Sequence, residues 1–462
     1  MQAAPSVSAA PLARSLGQWR PDFLKAHAAD PVRFPFLLES ASQGSRHGRF
    51  DVLLVRSGEE LLLEAGGRLL GPGTPAGGFL AALDRWFETE PRAALAPRRA
   101  LPFLGGWFLY LGYELAGEVE RTLKLPPGTG LVAGAFRVRA AAIYDHTTGE
   151  TWLVGEPGQE EALELLEARL SARPAIEPAP LPLPALELVE EEPERYRIAV
   201  RRALEYIAAG DIYQANLARE WRARLPPGLS PAALYARLRR SNPGPFAGLA
   251  ALPGMSVLST SPERLVASHD GIVETRPIAG TRPRHGDDAS MREELRANPK
   301  EQAEHVMLLD LERNDIGRIA VGGSVEVDEY MAIESYAHVH HLVSNVRGRL
   351  KAGVSPGAII RALFPGGTIT GCPKVRCMQI IAELEATPRG AYTGSFGYLG
   401  LDGSLDLNIL IRTATIREGA AGSELTLRAG AGIVADSDPE RELEETRAKA
   451  RGLVRALTAD SG

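Results

Sequence analysis

Apolar residues recur in short runs over residues 35–170, at Asp51 to Val55, Leu61 to Glu64, Ala140 to Tyr144 and Thr151 to Val154, with Gly-rich turns between them. That spacing predicts strands. Two stretches, Gly78 to Glu88 and Gln159 to Arg173, switch to helical periodicity. Further on, Tyr196, Val200, Leu204 and Ile207 share one stripe of a helix over Glu194 to Ala209 that stops at Gly210. Strands are expected at Gly248 to Ala251, Val257 to Thr260, Gly271 to Glu274 and Leu425 to Ala429. A helix opens at Asn298-Pro299-Lys300-Glu301, where Asn298 caps, Pro299 suits the first turn and Glu301 gives a capping-box spacing; its body runs towards Leu311. Val375 to Glu385 reads as another. The last opens at Ser437-Asp438-Pro439-Glu440, with Glu440, Glu442, Glu444 and Glu445 early and Arg447, Lys449, Arg451 and Arg455 late, an order that complements the helix dipole.

This mixture of strands and helices is interrupted once. Pro174, Pro178, Pro180, Pro182 and Pro184, followed by Glu190, Glu191 and Glu192, read as an extended polyproline-like connector. It divides the chain into an N-terminal region, 1–173, a linker, 174–192, and a C-terminal region, 193–460. No repeat is evident. The 52 Lys and Arg against 58 Asp and Glu leave a net charge of −6, without the clustered basic excess that nucleic acid or an anionic membrane requires. Cys372 and Cys377 cannot build a disulfide framework and make only half a zinc site. With no long apolar run and no signal-like start, the expectation is a soluble, cytoplasmic protein.

Several groups of residues could carry chemistry. Glu301 and Glu304 stand three apart on one expected helix, Glu442 and Glu445 three apart on another, so each pair shares a face. Opposed, the two faces would form a hard-oxygen pocket for Mg²⁺, with Glu304 and Glu445 as direct ligands and Glu301 and Glu442 behind them. Solvated faces and dipole partners are the other reading of the same acids. His338, His340 and His341 alternate as on a strand; a single hydrogen-bonding or catalytic histidine fits better than a metal site, since no second His/Cys cluster exists. Gly430-Ala431-Gly432 superficially matches a dinucleotide fingerprint, but no helix opens there. The expected use is close backbone approach to an anion. The segment Gly366 to Lys374 lacks the phosphate-loop order; it reads either as a helix N-terminus gathering a carboxylate or as a plain turn.

Taken together, "GDIYQANLA" (from Gly210), "LSTSPERL" (from Leu258), "TRPIAGTRPR" (from Thr275), "AEHVMLLDLERNDIGR" (from Ala303), "VHHLVS" (from Val339), "GGTITGCPKVRCMQII" (from Gly366), "IRT" (from Ile411) and "GAGIVADSDPERELEET" (from Gly430) resemble the chorismate-utilising enzyme family over nearly the whole chain. The nearest branches are the large components of aminodeoxychorismate synthase and anthranilate synthase. The resemblance implies an α+β fold with antiparallel sheets packed face to face and helices outside. It also implies Mg²⁺ at the acidic faces and Glu263 as general acid, a role typically worth about 10²–10⁴-fold. Tyr392 and Arg412 would grip the enolpyruvyl carboxylate. Thr368 and the backbone at Gly430, Ala431 and Gly432 would serve the ring carboxylate, His341 would stand at the reacting edge, and Lys449 would add positive charge. Each has a purely structural alternative.

Gln214 occupies the position where water-adding relatives carry a lysine base, and an amide cannot deprotonate water, so isochorismate-type chemistry is disfavoured. Pro277-Ile278-Ala279-Gly280-Thr281 lacks the lysine usual in aminodeoxychorismate synthases, so a lysine adduct cannot form at 279. "GDIYQANLA", "SPERL", "VHHLVS", "GGTITG", "GSFGYL", "LPFLGGWFLYLGYEL" and Asp51 in "RFDVLL" lean the other way. The expected product is therefore 4-amino-4-deoxychorismate for 4-aminobenzoate and folate, with anthranilate as the alternative. Neither cysteine resembles a glutaminase nucleophile, which implies a separate glutamine amidotransferase subunit supplying ammonia. Leu37-Leu38-Glu39-Ser40 resembles a tryptophan-binding segment, and equally a plain strand end. A catalytically silent amino-acid sensor is the reading from another class, opposed by the intact Glu263, Glu304, Glu445 and Arg412.

Overall fold

The structure is a computed structural model that describes residues 11–41, 48–74, 77–91, 101–171, 184–284, 288–335, 339–420 and 422–458. His338 and Pro174 to Pro182 of the connector lie outside the described residues.

Among the described residues every strand pairing is antiparallel, and the strands run in two arms. The first leads from Leu12–Gln18 through Glu150–Gly155, Leu131–Asp145 and Phe50–Glu64 to Phe36–Glu39. There it crosses into the C-terminal half, as Phe36–Glu39 pairs with Phe246–Leu252. It continues through Met255–Ser261, Thr413–Gly419 and Gly422–Ile433 to Gln214–Arg224. The second arm leaves Leu131–Asp145 at Gly106–Leu111 and crosses to Ser395–Gly400. Leu405–Asn408, Arg264–His269 and Ile272–Thr275 follow, and the arm ends at Val339–Arg349, flanked by Ile278–Pro283 and Glu326–Ser335.

Period-two alternation decides how the arms stack. Phe36, Val52, Leu54, Ala250 and Val257 of the first arm meet Phe108, Tyr110 and Phe396 of the second in one inner core. Phe36 stacks on Phe108 with ring centroids 4.0 Å apart. The intervening residues face outward: Leu37, Leu53, Leu249 and Leu258 pack under the helices Phe23–Ala29, Pro231–Ser241 and Pro439–Thr458. Trp107, Leu109 and Leu111 pack with Phe79–Thr89, Pro299–Ile319 and Pro356–Leu363. The Gly106–Leu111 strand is therefore buried on both faces, which accounts for its unbroken apolar sequence. Each such side chain removed from water contributes about 1.5–3 kcal/mol. This is the expected α+β layering, with sheets face to face and helices outside.

Two local expectations change. Asp51 to Val55 and Leu61 to Glu64 belong to one strand, Phe50–Glu64, whose polar middle hides a register shift between Val55 and Glu60. The helix begun at Asn298 runs on past Leu311 to Ile319, and Asn298 does cap it: its Oδ1 accepts the Glu301 N–H at 3.2 Å.

Candidate active site

The ends of the two arms come together under the Pro299–Ile319 and Pro439–Thr458 helices. Gln214 opens its strand 3 % exposed, and its Nε2 donates to Glu304 Oε1 at 3.2 Å, joining the first arm to the helix that covers the second. Gly432 permits this approach: a Cβ there would stand 2.4 Å from Gln214 Nε2. Gly430 similarly leaves room for the Asn216 amide and the Tyr392 hydroxyl, which would lie 2.5 and 2.7 Å from its Cβ. Both glycines sit within the strand ladder, Gly430 opposite Ala218 and Gly432 opposite Asn216. What they supply is the missing side chain. Ala431 points the other way, into the apolar cluster with Leu217 and Ile433.

Asn216 was not among the residues singled out from the sequence. Its position two residues after Gln214, on the same strand face, was the available signal. The side-chain oxygens of Gln214 and Asn216 are both buried without a hydrogen-bond partner among the described residues, so this strand face carries two buried acceptors.

Glu263 is 6 % exposed and accepts the Thr368 hydroxyl at 2.7 Å. Burial first, and the Glu312 carboxylate second, push its carboxyl up to about 8, against Thr368 and Lys449, which pull down. A carboxyl that keeps its proton at neutral pH is what a general acid requires. Thr368 thus sits against Glu263.

His341 is buried on Val339–Arg349, and burial, helped by Arg412, pushes its imidazole down to about 4. His340 turns elsewhere, its Nδ1 2.8 Å from Ser335 Oγ. Arg412 holds a left-handed backbone, φ +52°, secured by its carbonyl accepting from Thr260 N–H at 3.1 Å and Oγ1–H at 3.0 Å. Its guanidinium donates to Asn242 at 3.3 Å, and no carboxylate among the described residues pairs with it. Burial lowers its pKa and the nearby Tyr392 raises it again. Tyr392 is itself pushed up to about 12 by burial. A half-buried guanidinium with no acid paired to it, next to a phenol, has donors to offer a carboxylate. Behind it Arg389, bridged to Glu385 at 2.6 Å, donates to the Asn216 carbonyl and locks the wall.

Of the four acids, Glu301, Glu304 and Glu445 gather. Burial raises Glu304, and the charges of Glu301 and Glu445 raise it further while Lys449 lowers it. Lys449 pairs with Glu445 at 2.8 Å and donates to the Gly430 carbonyl at 3.1 Å. Glu442 instead accepts the Ser437 hydroxyl at 2.7 Å. Among the described residues no three His, Cys, Asp or Glu side chains form a metal cluster. Glu304 and Glu445, close enough to raise one another's charge cost, are nevertheless hard-oxygen donors of the number magnesium takes from a protein, since it keeps most of its octahedron for substrate and water oxygens. Backbone register brings Ala279 opposite Leu342 and Thr281 opposite His341; their side chains are outside the described set.

Leu38 and Glu39 line a different cavity, of about 610 Å³, walled by Phe50, Phe246 and Phe396 between the arms. Glu39 accepts the Tyr235 hydroxyl at 2.8 Å and pairs with Arg239 at 2.6 Å, while the Ser40 N–H donates to Asp51 at 2.8 Å. No helix among the described residues is long and apolar enough to cross a membrane.

Comparison with known proteins identifies the family and the fold. The chorismate binding enzyme family profile matches residues 36–455. The chain is 42 % identical over 453 residues to anthranilate synthase component 1 of Thermus thermophilus, covering 94 % of each. To aminodeoxychorismate synthase component 1 of Bacillus subtilis it is 38 % identical over 435 residues, 89 % of this chain and 86 % of that one. The crystal structure of anthranilate synthase component I from Streptococcus pneumoniae superposes with a TM-score of 0.76 at 32 % identity, over 89 % of this chain and 93 % of that one. MenF, the menaquinone-specific isochorismate synthase of Escherichia coli, shares the fold at TM-score 0.69 and 22 % identity, over 97 % of this chain and 95 % of that one. The chain is a member of the chorismate-binding enzyme family.

Proposed function

We propose that the protein aminates chorismate at C4 to give 4-amino-4-deoxychorismate, with ammonia delivered by a separate glutamine amidotransferase subunit. The observation that carries this reading is where the aminodeoxychorismate-like segments lie. They are in the pocket as well as the scaffold: Gln214 and Asn216 come from "GDIYQANLA", Glu263 from "SPERL", His341 from "VHHLVS" and Thr368 from "GGTITG". Arg412 and Tyr392 hold the enolpyruvyl carboxylate. A magnesium ion between Glu304 and Glu445, with Glu301 beside them, would neutralise the ring carboxylate. Glu263 gives its proton to the departing 4-oxygen as the carbon–oxygen bond breaks and the carbon–nitrogen bond forms. Water leaves, and a proton from the incoming nitrogen restores Glu263. Gln214 orients Glu304 and cannot deprotonate a water.

A second reading, anthranilate formation with loss of pyruvate, is favoured by Ala279, which offers no amine, and by the Thermus relative. Incubating the chain with chorismate, Mg²⁺ and ammonium, then measuring mass and anthranilate fluorescence, separates them. Aminodeoxychorismate is the expected product, and Ala279→Lys is expected to change its rate. Anthranilate and pyruvate would replace the first reading by the second. The cavity beside Glu39 is where a tryptophan of the kind the resemblance implies would be seated.

A further inference from the structure

Behind Glu263 lies a second buried acid that the reaction as described does not use. Glu312 is 4 % exposed on the Pro299–Ile319 helix, eight residues beyond Glu304. Its Oε1 accepts the Gly367 N–H at 3.2 Å. The next residue along that turn is Thr368, whose hydroxyl donates to Glu263 Oε1 at 2.7 Å. The turn admits Glu312 only because residue 367 is glycine: a Cβ there would stand 3.0 Å from Glu312 Oε1 and 2.5 Å from Leu311 Cδ2. Lys374, ion-paired with Asp315, supplies positive charge near Glu312. The charged groups facing the two acids are therefore Lys374 and Asp315 around Glu312, and Lys449 near Glu263.

We infer that Glu312 is a positioning residue for the general acid: it fixes the Gly366-Gly367-Thr368 turn that orients Glu263, and its negative charge keeps the transferable proton on Glu263. The inference rests on Glu263 being the acid. The order of ionisation follows from the surroundings. Burial raises both carboxyls; Lys374, the Gly367 N–H and Thr275 favour ionised Glu312 against the charge of Asp315, while only Thr368 and Lys449 favour ionised Glu263, so Glu312 ionises first and its charge disfavours a second carboxylate nearby. The pair then holds one proton, on the member that faces the substrate.

The charge and the hydrogen bond are separable. Glu312→Gln keeps an acceptor for the Gly367 N–H and removes only the charge. With free ammonium as nitrogen donor, the alkaline limb of its kcat/KM profile is expected to move down by about one pH unit. That is about a tenfold loss at alkaline pH with little change near neutrality, and with the chorismate and Mg²⁺ requirements unaltered. Glu312→Asp keeps the charge and shortens the reach, so it should lower kcat while leaving the limb in place. A Glu312→Gln profile that superimposes on the wild type, with Glu263→Gln inactive, overturns the role of Glu312 and leaves that of Glu263 standing. Full activity in Glu263→Gln overturns both. A third measurement uses the wild-type chain, with Glu263→Gln as its blank. In an infrared pH titration, the carboxyl band lost in Glu263→Gln should persist into the alkaline range; titration in the ordinary carboxylate range overturns the inference.

Discussion

Glu263 is a carboxyl held in the form water would not choose, and that has a thermodynamic signature. In the folded chain it keeps its proton to about 8, whereas unfolded it ionises near its ordinary 4.5. Between those values the unfolded state binds fewer protons, so this residue makes stability fall as pH rises through the window. Glu263→Gln is therefore expected to melt a few degrees above the wild type at about pH 9 and to match it near pH 4, while losing about 10²–10⁴-fold in turnover. Calorimetry at the two pH values checks the first, a chorismate assay the second. Glu304→Ala should raise the Mg²⁺ concentration needed for half activity by at least about tenfold with an unchanged melting point; an unaltered Mg²⁺ dependence would remove Glu304 from the metal site. At this scale much was legible. Glu263, Glu304, Glu445 and Arg412 stand in segments that the sequence analysis singles out, and the fold brings Glu304 and Glu445 into one neighbourhood with Lys449 and Gln214. Asn216 and Glu312 did not stand out, because an amide in a strand and a glutamate in a helix acquire meaning only from what faces them.

The final helix presents Glu445 and Lys449, so its first turn sets where they stand. Asp438 Oδ1 accepts the N–H groups of Glu440 at 3.1 Å and Arg441 at 3.0 Å, and the Ser437 hydroxyl ties to Glu442. Asp438→Ala is expected to cost about 1 kcal/mol of stability, read as a lower midpoint in urea, and to weaken Mg²⁺-dependent turnover in the same variant. Helix ends of this kind were readable because capping is local chemistry. The strand Phe50–Glu64 was not read as one piece, since Arg56 to Glu60 is polar and its continuity depends on Leu131–Asp145 alongside, contributed from far along the chain. Gly430 and Gly432 were read as points of close backbone approach to an anion. The structure adds a second use, as gaps that seat Gln214 and Asn216 of the neighbouring strand, which no spacing along their own strand encodes.

On the scale of the whole molecule, the two arms each pass from the N-terminal half into the C-terminal half, once through Phe36–Glu39 with Phe246–Leu252 and once through Gly106–Leu111 with Ser395–Gly400. The inner core is built jointly, with Phe36, Phe108 and Phe396 in one cluster. Produced alone, residues 1–171 and 184–462 are each expected to be insoluble or unfolded, and co-expression is expected to restore chorismate turnover; a cooperative melting transition from either fragment alone would show that the halves are independent.

The same crossings impose a timetable on synthesis. When Phe36–Glu39 and Gly106–Leu111 leave the ribosome, their edge partners lie some 210 and 290 residues further along the message. For that interval the nascent chain carries two apolar strand edges with nothing to pair, the exposure that chaperones recognise and that aggregation exploits. The chemistry of the pocket is local, but the right to form it is granted only when nearly the last strand has been made.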